Sequence, residues 1–185
     1  MLQSKKAIWR SKVKRLKIFC IIGVLIILWG CAPNFFLMKS EKINLHKLEP
    51  QNTVECKKPV SFKIVLPEYL DTQRILYKDE EGFHYFSKNA WICPLSCILE
   101  TYFISSFTCF SPEGELLEIV ITDFYPFMKK NNVKMTLKGK IILGNQTKEF
   151  IFTKVSKVNN FRELISLYEN IMSQLIREIS DFFKL

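Results

Sequence analysis

An alternation of period two runs through residues 60–66. Phe62, Ile64 and Leu66 fall on one side, and Ser61, Lys63 and Val65 on the other. That pattern predicts a strand. Pro67 ends it, because a proline has no N–H to give to a neighbouring strand. Two shorter β-rich runs, Arg74 to Lys78 and Phe83 to Ser87, flank Asp79-Glu80-Glu81-Gly82 and predict a hairpin. The period then changes. Trp91, Leu95, Ile98, Leu99, Tyr102 and Phe103 are spaced for one helical face, so residues 91–106 predict a helix with Pro94 in its first turn. Three strands follow, Leu116 to Tyr125, Val133 to Leu143 and Lys148 to Val155, separated by Asn131-Asn132 and Gly144-Asn145. In the middle strand Val133, Met135, Leu137, Gly139, Ile141 and Leu143 point one way, and Lys134, Thr136, Lys138 and Lys140 the other. One face of the sheet is therefore expected to be wet. The last element is the most regular. Phe161, Leu164, Ile165, Tyr168, Ile171, Met172, Leu175, Ile176, Ile179, Phe182 and Phe183 keep the i, i+3, i+4, i+7 rhythm. Asn160 and Glu163 form a cap-like start, and about 23 residues give a helix of roughly 35 Å. The order β, β-hairpin, α, β-β-β, α predicts an α/β (α+β) two-layer sandwich. Its sheet is expected to be mostly antiparallel or mixed, with two helices on one face.

The first 30 residues follow another logic. They carry seven basic side chains and no acid. Removing them from the totals leaves 20 basic against 18 acidic residues, about +2, so the formal charge of +9 belongs mostly to the leader. The charge then gives no reason to expect a nucleic-acid partner. An apolar run from Ile18 to Trp29 follows, too short to span a bilayer at roughly 20 residues. A basic region, an apolar region and a small residue before a cut define a secretory signal. The cut site, Leu28-Trp29-Gly30-Cys31, resembles a bacterial lipobox. The expectation is a signal peptide over 1–30, a lipidated Cys31 with a tether over 31–58, and one globular domain over 59–185. The competing expectation is an uncleaved signal anchor. Either way the domain lies outside the cytoplasm. Ala32 at the second mature position favours the outer membrane.

Little in the sequence points to reaction chemistry. His46 lies in the expected tether, and His84 alternates with Phe83 and Tyr85 in a hairpin strand. No serine–histidine–aspartate or cysteine–histidine order and no phosphate-cradling glycine loop is present. Cys93 and Cys97 are four apart, but a second ligand pair at metal-site spacing is missing, so neither a metal nor a cofactor is expected. Cys56, Cys93, Cys97 and Cys109 are expected as free buried thiols, with one disulfide as the alternative in an oxidising compartment. The row Lys134, Lys138, Lys140 reads as a solvated face, or else as a contact for acidic headgroups or a partner. The loop Pro67 to Asp71 is the candidate partner-binding site, with Tyr69, Leu70 and Asp71 presented by a turn.

One set of motifs carries a resemblance. Lys63-Ile64-Val65-Leu66-Pro67-Glu68-Tyr69-Leu70-Asp71 is followed by Gln73-Arg74-Ile75-Leu76-Tyr77, then Phe83-His84-Tyr85-Phe86, Asn89-Ala90-Trp91 and Pro94-Leu95. This resembles the ABC-type transport auxiliary lipoproteins, the PqiC-like family. Thr72 stands where that family usually has Arg, and Ile92-Cys93 replaces its small or acidic residues. The resemblance implies a non-enzymatic accessory subunit of an MCE/ABC-type lipid transport system between inner and outer membranes. It would be lipid-anchored on the periplasmic face of a membrane and bound to an MCE-type substrate-binding protein. The sequence leaves the oligomeric state open, a homo-oligomer included. The alternative is a structural or assembly lipoprotein of the cell envelope. A secreted hydrolase is a third reading, against which the missing histidine-centred arrangement counts.

Overall fold

The computed structural model describes residues 42–56, 58–130 and 132–183. The signal peptide, Cys31 and the first part of the tether lie outside the described residues. Seven strands and two helices follow in the order β1 (Asn44–His46), β2 (Val60–Val65), β3 (Arg74–Lys78), β4 (Phe83–Trp91), α1 (Leu95–Ser106), β5 (Glu115–Lys129), β6 (Asn132–Leu143), β7 (Gln146–Lys157) and α2 (Phe161–Phe183). They form the expected α+β arrangement, a single mixed sheet in the order β1-β4-β3-β5-β6-β7, with β2 beside β5. The β3–β4, β5–β6 and β6–β7 pairs are antiparallel, and β1–β4, β2–β5 and β3–β5 are parallel.

The placement of β2 and β3 decides the geometry of the site. β2 runs along the first half of β5, Val60 beside Glu115 through Val65 beside Val120. β3 meets the far half, Lys78 beside Phe127. Both occupy the edge of β5 that β6 leaves free, one after the other. Pro67 and the turn after it form the step between them. The β5–β6 register shifts between Ile121 and Asp123, opposite that step.

Both helices cover one face. Helix α1 buries Leu95, Ile98, Leu99, Tyr102 and Phe103. Helix α2 buries Leu164, Ile165, Leu167, Tyr168, Ile171, Met172, Leu175, Ile176 and Ile179. At about 1.5–3 kcal/mol for each large apolar side chain removed from water, α2 is a principal source of stability. Its start is a reciprocal cap: the Glu163 N–H donates to Asn160 Oδ1 at 3.0 Å, and Asn160 Nδ2 donates to Glu163 Oε1 at 2.7 Å. Tyr168 sits edge-on to both Trp91 and Phe124, joining helix to sheet.

Three expectations need correction. The first helix starts at Leu95, not Trp91, because Pro94 occupies the cap with extended backbone and Trp91 closes β4. A residue preceding proline is disfavoured in the helical region, which keeps Ile92 and Cys93 out of the helix. Residues 42–56 are not a free tether. β1 pairs with β4, Leu48 is buried, and the Val54 N–H donates to the Ser106 carbonyl at 2.7 Å. His46 belongs to this edge, bonded to Asn89 at 2.9 Å and packed on Phe161. The cysteines are not free thiols. Cys56 is bonded to Cys109, and Cys93 to Cys97.

Candidate functional site

The sheet face turned away from the helices carries the most unusual surface. Alternation along β5 and β6 sends Lys134, Lys138 and Lys140 to this side, all exposed, as the sequence pattern implies. Lys63 joins them from β2, paired with Glu118 at 3.3 Å. Exposed ion pairs of this kind contribute little to stability.

At the step between β2 and β3 the same face becomes aromatic. Tyr69, from the loop, lies 6.3 Å from Phe83 of β4, and Phe83 meets the edge of Tyr125 of β5 at 5.1 Å. The Arg74 guanidinium lies 4.2 Å over the Tyr85 ring and the Lys78 ammonium 5.0 Å over Phe83. Tyrosine hydroxyls lock the cluster. Tyr69 donates to the Thr122 carbonyl at 2.9 Å, at the register shift in β5. Tyr85 donates to the Tyr69 carbonyl at 3.1 Å, and Tyr125 to Asp123 Oδ1 at 3.0 Å. Burial, together with the bond to Asp123 and that residue's charge, pushes the Tyr125 hydroxyl up to about 12. Burial also raises Tyr69, with Asp123 adding to it. The Tyr69 and Tyr125 hydroxyls therefore stay protonated at neutral pH. What the cluster offers a partner is ring surface: Tyr69 is 45% exposed and Phe83 52%.

The aromatic cluster borders a shallow groove of about 430 Å³ lined by Val120, Thr122, Lys138, Gly139, Lys140 and Glu149. Thr122 belongs to both. An aromatic patch beside a groove rimmed by lysines suits a binding surface that uses apolar contact and positive charge together.

The loop residues chosen from sequence divide. Tyr69 is part of the exposed cluster. Leu70 is buried at 2% exposure, which corrects its placement on the surface. Asp71 is exposed, but its carboxylate accepts the Ser96 N–H at 2.9 Å and so caps α1 from outside the helix. Phe83, Tyr85 and Tyr125 were not singled out by sequence reasoning. The available signal was their shared parity with the lysine row once the strands are paired. Among the described residues, no three His, Cys, Asp or Glu side chains are grouped to hold a metal, and Cys93 and Cys97 are bonded to each other.

No family model matches the chain. An uncharacterized protein of Aquifex aeolicus (strain VF5) is 31% identical over 169 residues, 89% of this chain and 89% of that one. Two solved structures resemble it in fold. One, of an uncharacterized protein, has a TM-score of 0.58 at 14% identity and covers 77% of this chain and 99% of its own. The other is protein XCC0632 from Xanthomonas campestris, of the DUF330 family, with a TM-score of 0.58 at 12% identity over 74% of this chain and 91% of its own. At such low identity the two structures speak for the fold alone. Similarity to the Aquifex aeolicus protein runs through nearly the whole of both sequences, and the chain belongs to the same family as that protein.

Proposed function

We propose that this chain is a non-catalytic envelope lipoprotein, an accessory subunit of an MCE/ABC-type lipid transport system. The observation that carries the reading is the shared fold with a DUF330 protein over 74% of the chain. DUF330 is the PqiC-like group, the same group that the Pro67-Glu68-Tyr69-Leu70-Asp71 and Trp91-x-x-Pro94-Leu95 motifs resemble. Two further features support it. The leader ends in a lipobox-like run at Cys31. Paired cysteines also suit an oxidising compartment such as the periplasm.

On this reading, lipid on Cys31 holds the domain at a membrane. Ten residues, 32–41, separate the anchor from Lys42, a reach of at most about 35 Å for an extended chain. The MCE-type partner docks on the helix-free sheet face, where Phe83 and Tyr69 present ring surface beside the lysines. No cofactor other than the covalent lipid is required.

The test is co-purification of the full-length chain with the MCE-type protein from native membranes, comparing the parent with Phe83→Ala. Phe83 is half exposed and its ring meets Tyr69, Tyr125 and Lys78, contacts worth about 1 kcal/mol each, so the variant should keep the fold with a melting temperature only a few degrees lower and lose the partner. Retained partner with the fold intact would place the contact elsewhere. Recovery of an envelope assembly protein instead would favour the structural-lipoprotein alternative.

A further inference from the structure

β7 is an edge strand of an uncommon kind. It has 12 residues without proline or glycine, and it pairs with β6 from Gln146 to Lys157 with no register shift. Among the described residues no strand pairs with its outer side. Such edges are templates for another strand and are normally blunted by shortness, bulges, proline or charged side chains, of which β7 has only the last, in Lys148, Glu149, Lys154 and Lys157. β1, at the opposite end of the sheet, is blunted by having three residues. β7 instead exposes Ile151 at 67% and Val155 at 65%, both on the helix-free face.

We propose that two copies of this chain join through β7, antiparallel, about a two-fold axis at Thr153. The sequence of the strand selects that register. For the sheet to continue with its helix-free face on the same side in both copies, paired positions must share parity. Centred on Thr153, Ile151 stands opposite Val155 and Glu149 opposite Lys157, and symmetry makes each pair twice. Lys154 falls opposite Phe152, and no lysine opposes a lysine. Other centres lose this match. Centred on Ile151, Lys148 opposes Lys154. Centred on Phe152, Glu149 faces Val155. Centred on Lys154, Ile151 faces Lys157. Opposite charges and apolar side chains directly across an antiparallel pair are stabilising, and like charges are not. Lys148 is already engaged with Glu178 and with the Phe182 ring, so it does not guard the edge. The occupant is therefore a second copy in one register, joining the two sheets into one.

The test is cysteine cross-linking of the full-length chain in membranes, with copper-phenanthroline as oxidant. Directly opposed residues in an antiparallel ladder have Cα atoms about 4.5–5.5 Å apart, within disulfide reach. Thr153→Cys should therefore shift most of the protein to twice the monomer mass on a non-reducing gel. Ile151→Cys should not, because its symmetry mate lies four residues along the strand, roughly 13 Å away. Glu149→Lys should reduce the Thr153→Cys dimer several-fold, and adding Lys157→Glu should restore it. Thr153 is exposed, so the variant keeps the fold, which a melting curve checks. A Thr153→Cys product no more abundant than that of Ile151→Cys overturns the proposal. So does a cross-linked product that contains a different polypeptide.

Discussion

Gly139 in β6 is a position where the fold has no room for a side chain. It pairs with Ile121 of β5 and with Phe150 of β7, beside the register shift in β5. A Cβ there would stand 2.1 Å from the Val120 carbonyl oxygen, 2.9 Å from Phe150 Cζ and 3.0 Å from Ile121 Cα. An ordinary carbon–oxygen contact is about 3.3 Å, so β5 and β6 would have to part by about 1 Å. The phenyl ring can swing aside, but the Val120 carbonyl and the Ile121 Cα belong to a paired backbone and cannot. Overpacking a core costs about 1–3 kcal/mol, and a backbone obstacle places Gly139→Ala at the upper end, about 3 kcal/mol. In a chain of this size each kcal/mol moves the midpoint by about 2–4 °C, so the expected loss is roughly 6–12 °C. Thermal unfolding followed by circular dichroism measures it. Gly82→Ala is the control. A Cβ at Gly82 meets nothing within 4 Å, and only its φ of +133° opposes substitution. The loss there should be smaller. Melting of Gly139→Ala within about 2 °C of the parent would refute the close approach of β5 to β6.

Three other outcomes are expected. Cys56→Ser opens a bond that closes 53 residues, which in the chain-entropy account lowers stability by about 4 kcal/mol, and hydrogen exchange should show residues 42–56 loosening first. Asp71→Ala leaves the Ser96 N–H without its acceptor and should cost about 1 kcal/mol, read from the denaturant midpoint. Alkaline pH should unfold the protein through its tyrosines: burial raises Tyr69, Tyr102, Tyr125 and Tyr168 above the ordinary value of 10.0, with Tyr125 at about 12. The unfolded chain loses these protons first, so stability is whole below pH 10 and falls as pH rises toward 12. Tyr125→Phe should flatten that fall, as urea midpoints taken across the range would record.

Elements with a sustained period were legible in the sequence, and those defined by distant partners were not. The apolar stripe of α2 and the alternation of β6 each state which face is buried, and from Leu164 to Ile179 and from Val133 to Ile141 the residues read as apolar, Gly139 apart, are buried. β1 spans three residues, too short for any period, so its stretch reads as tether until Asn44 is set beside Asn89. No local pattern says that β2 and β3 share one edge of β5, because parallel pairing depends on chain segments far apart. The Cys56–Cys109 bond depends on the same long-range placement. The candidate site repeats the lesson. The turn at Tyr69-Leu70-Asp71 was visible from Pro67. That Leu70 turns inward, Asp71 caps α1 and Tyr69 joins Phe83 and Tyr125 follows only from where β4 and β5 bring their rings.

Lipid anchoring at Cys31 and docking on a transport partner can be tested in one measurement. Native membranes holding the full-length chain would be cross-linked, the chain captured, and the products identified by mass spectrometry. The expected products are an N-terminal peptide beginning at a diacylglyceryl-modified Cys31 and cross-links from Lys138 or Lys140 to an MCE-type protein. Both lysines are exposed on the helix-free face, ready for such a cross-link. An unmodified, uncut leader, or cross-links that run only from the helix-bearing side, would contradict that expectation.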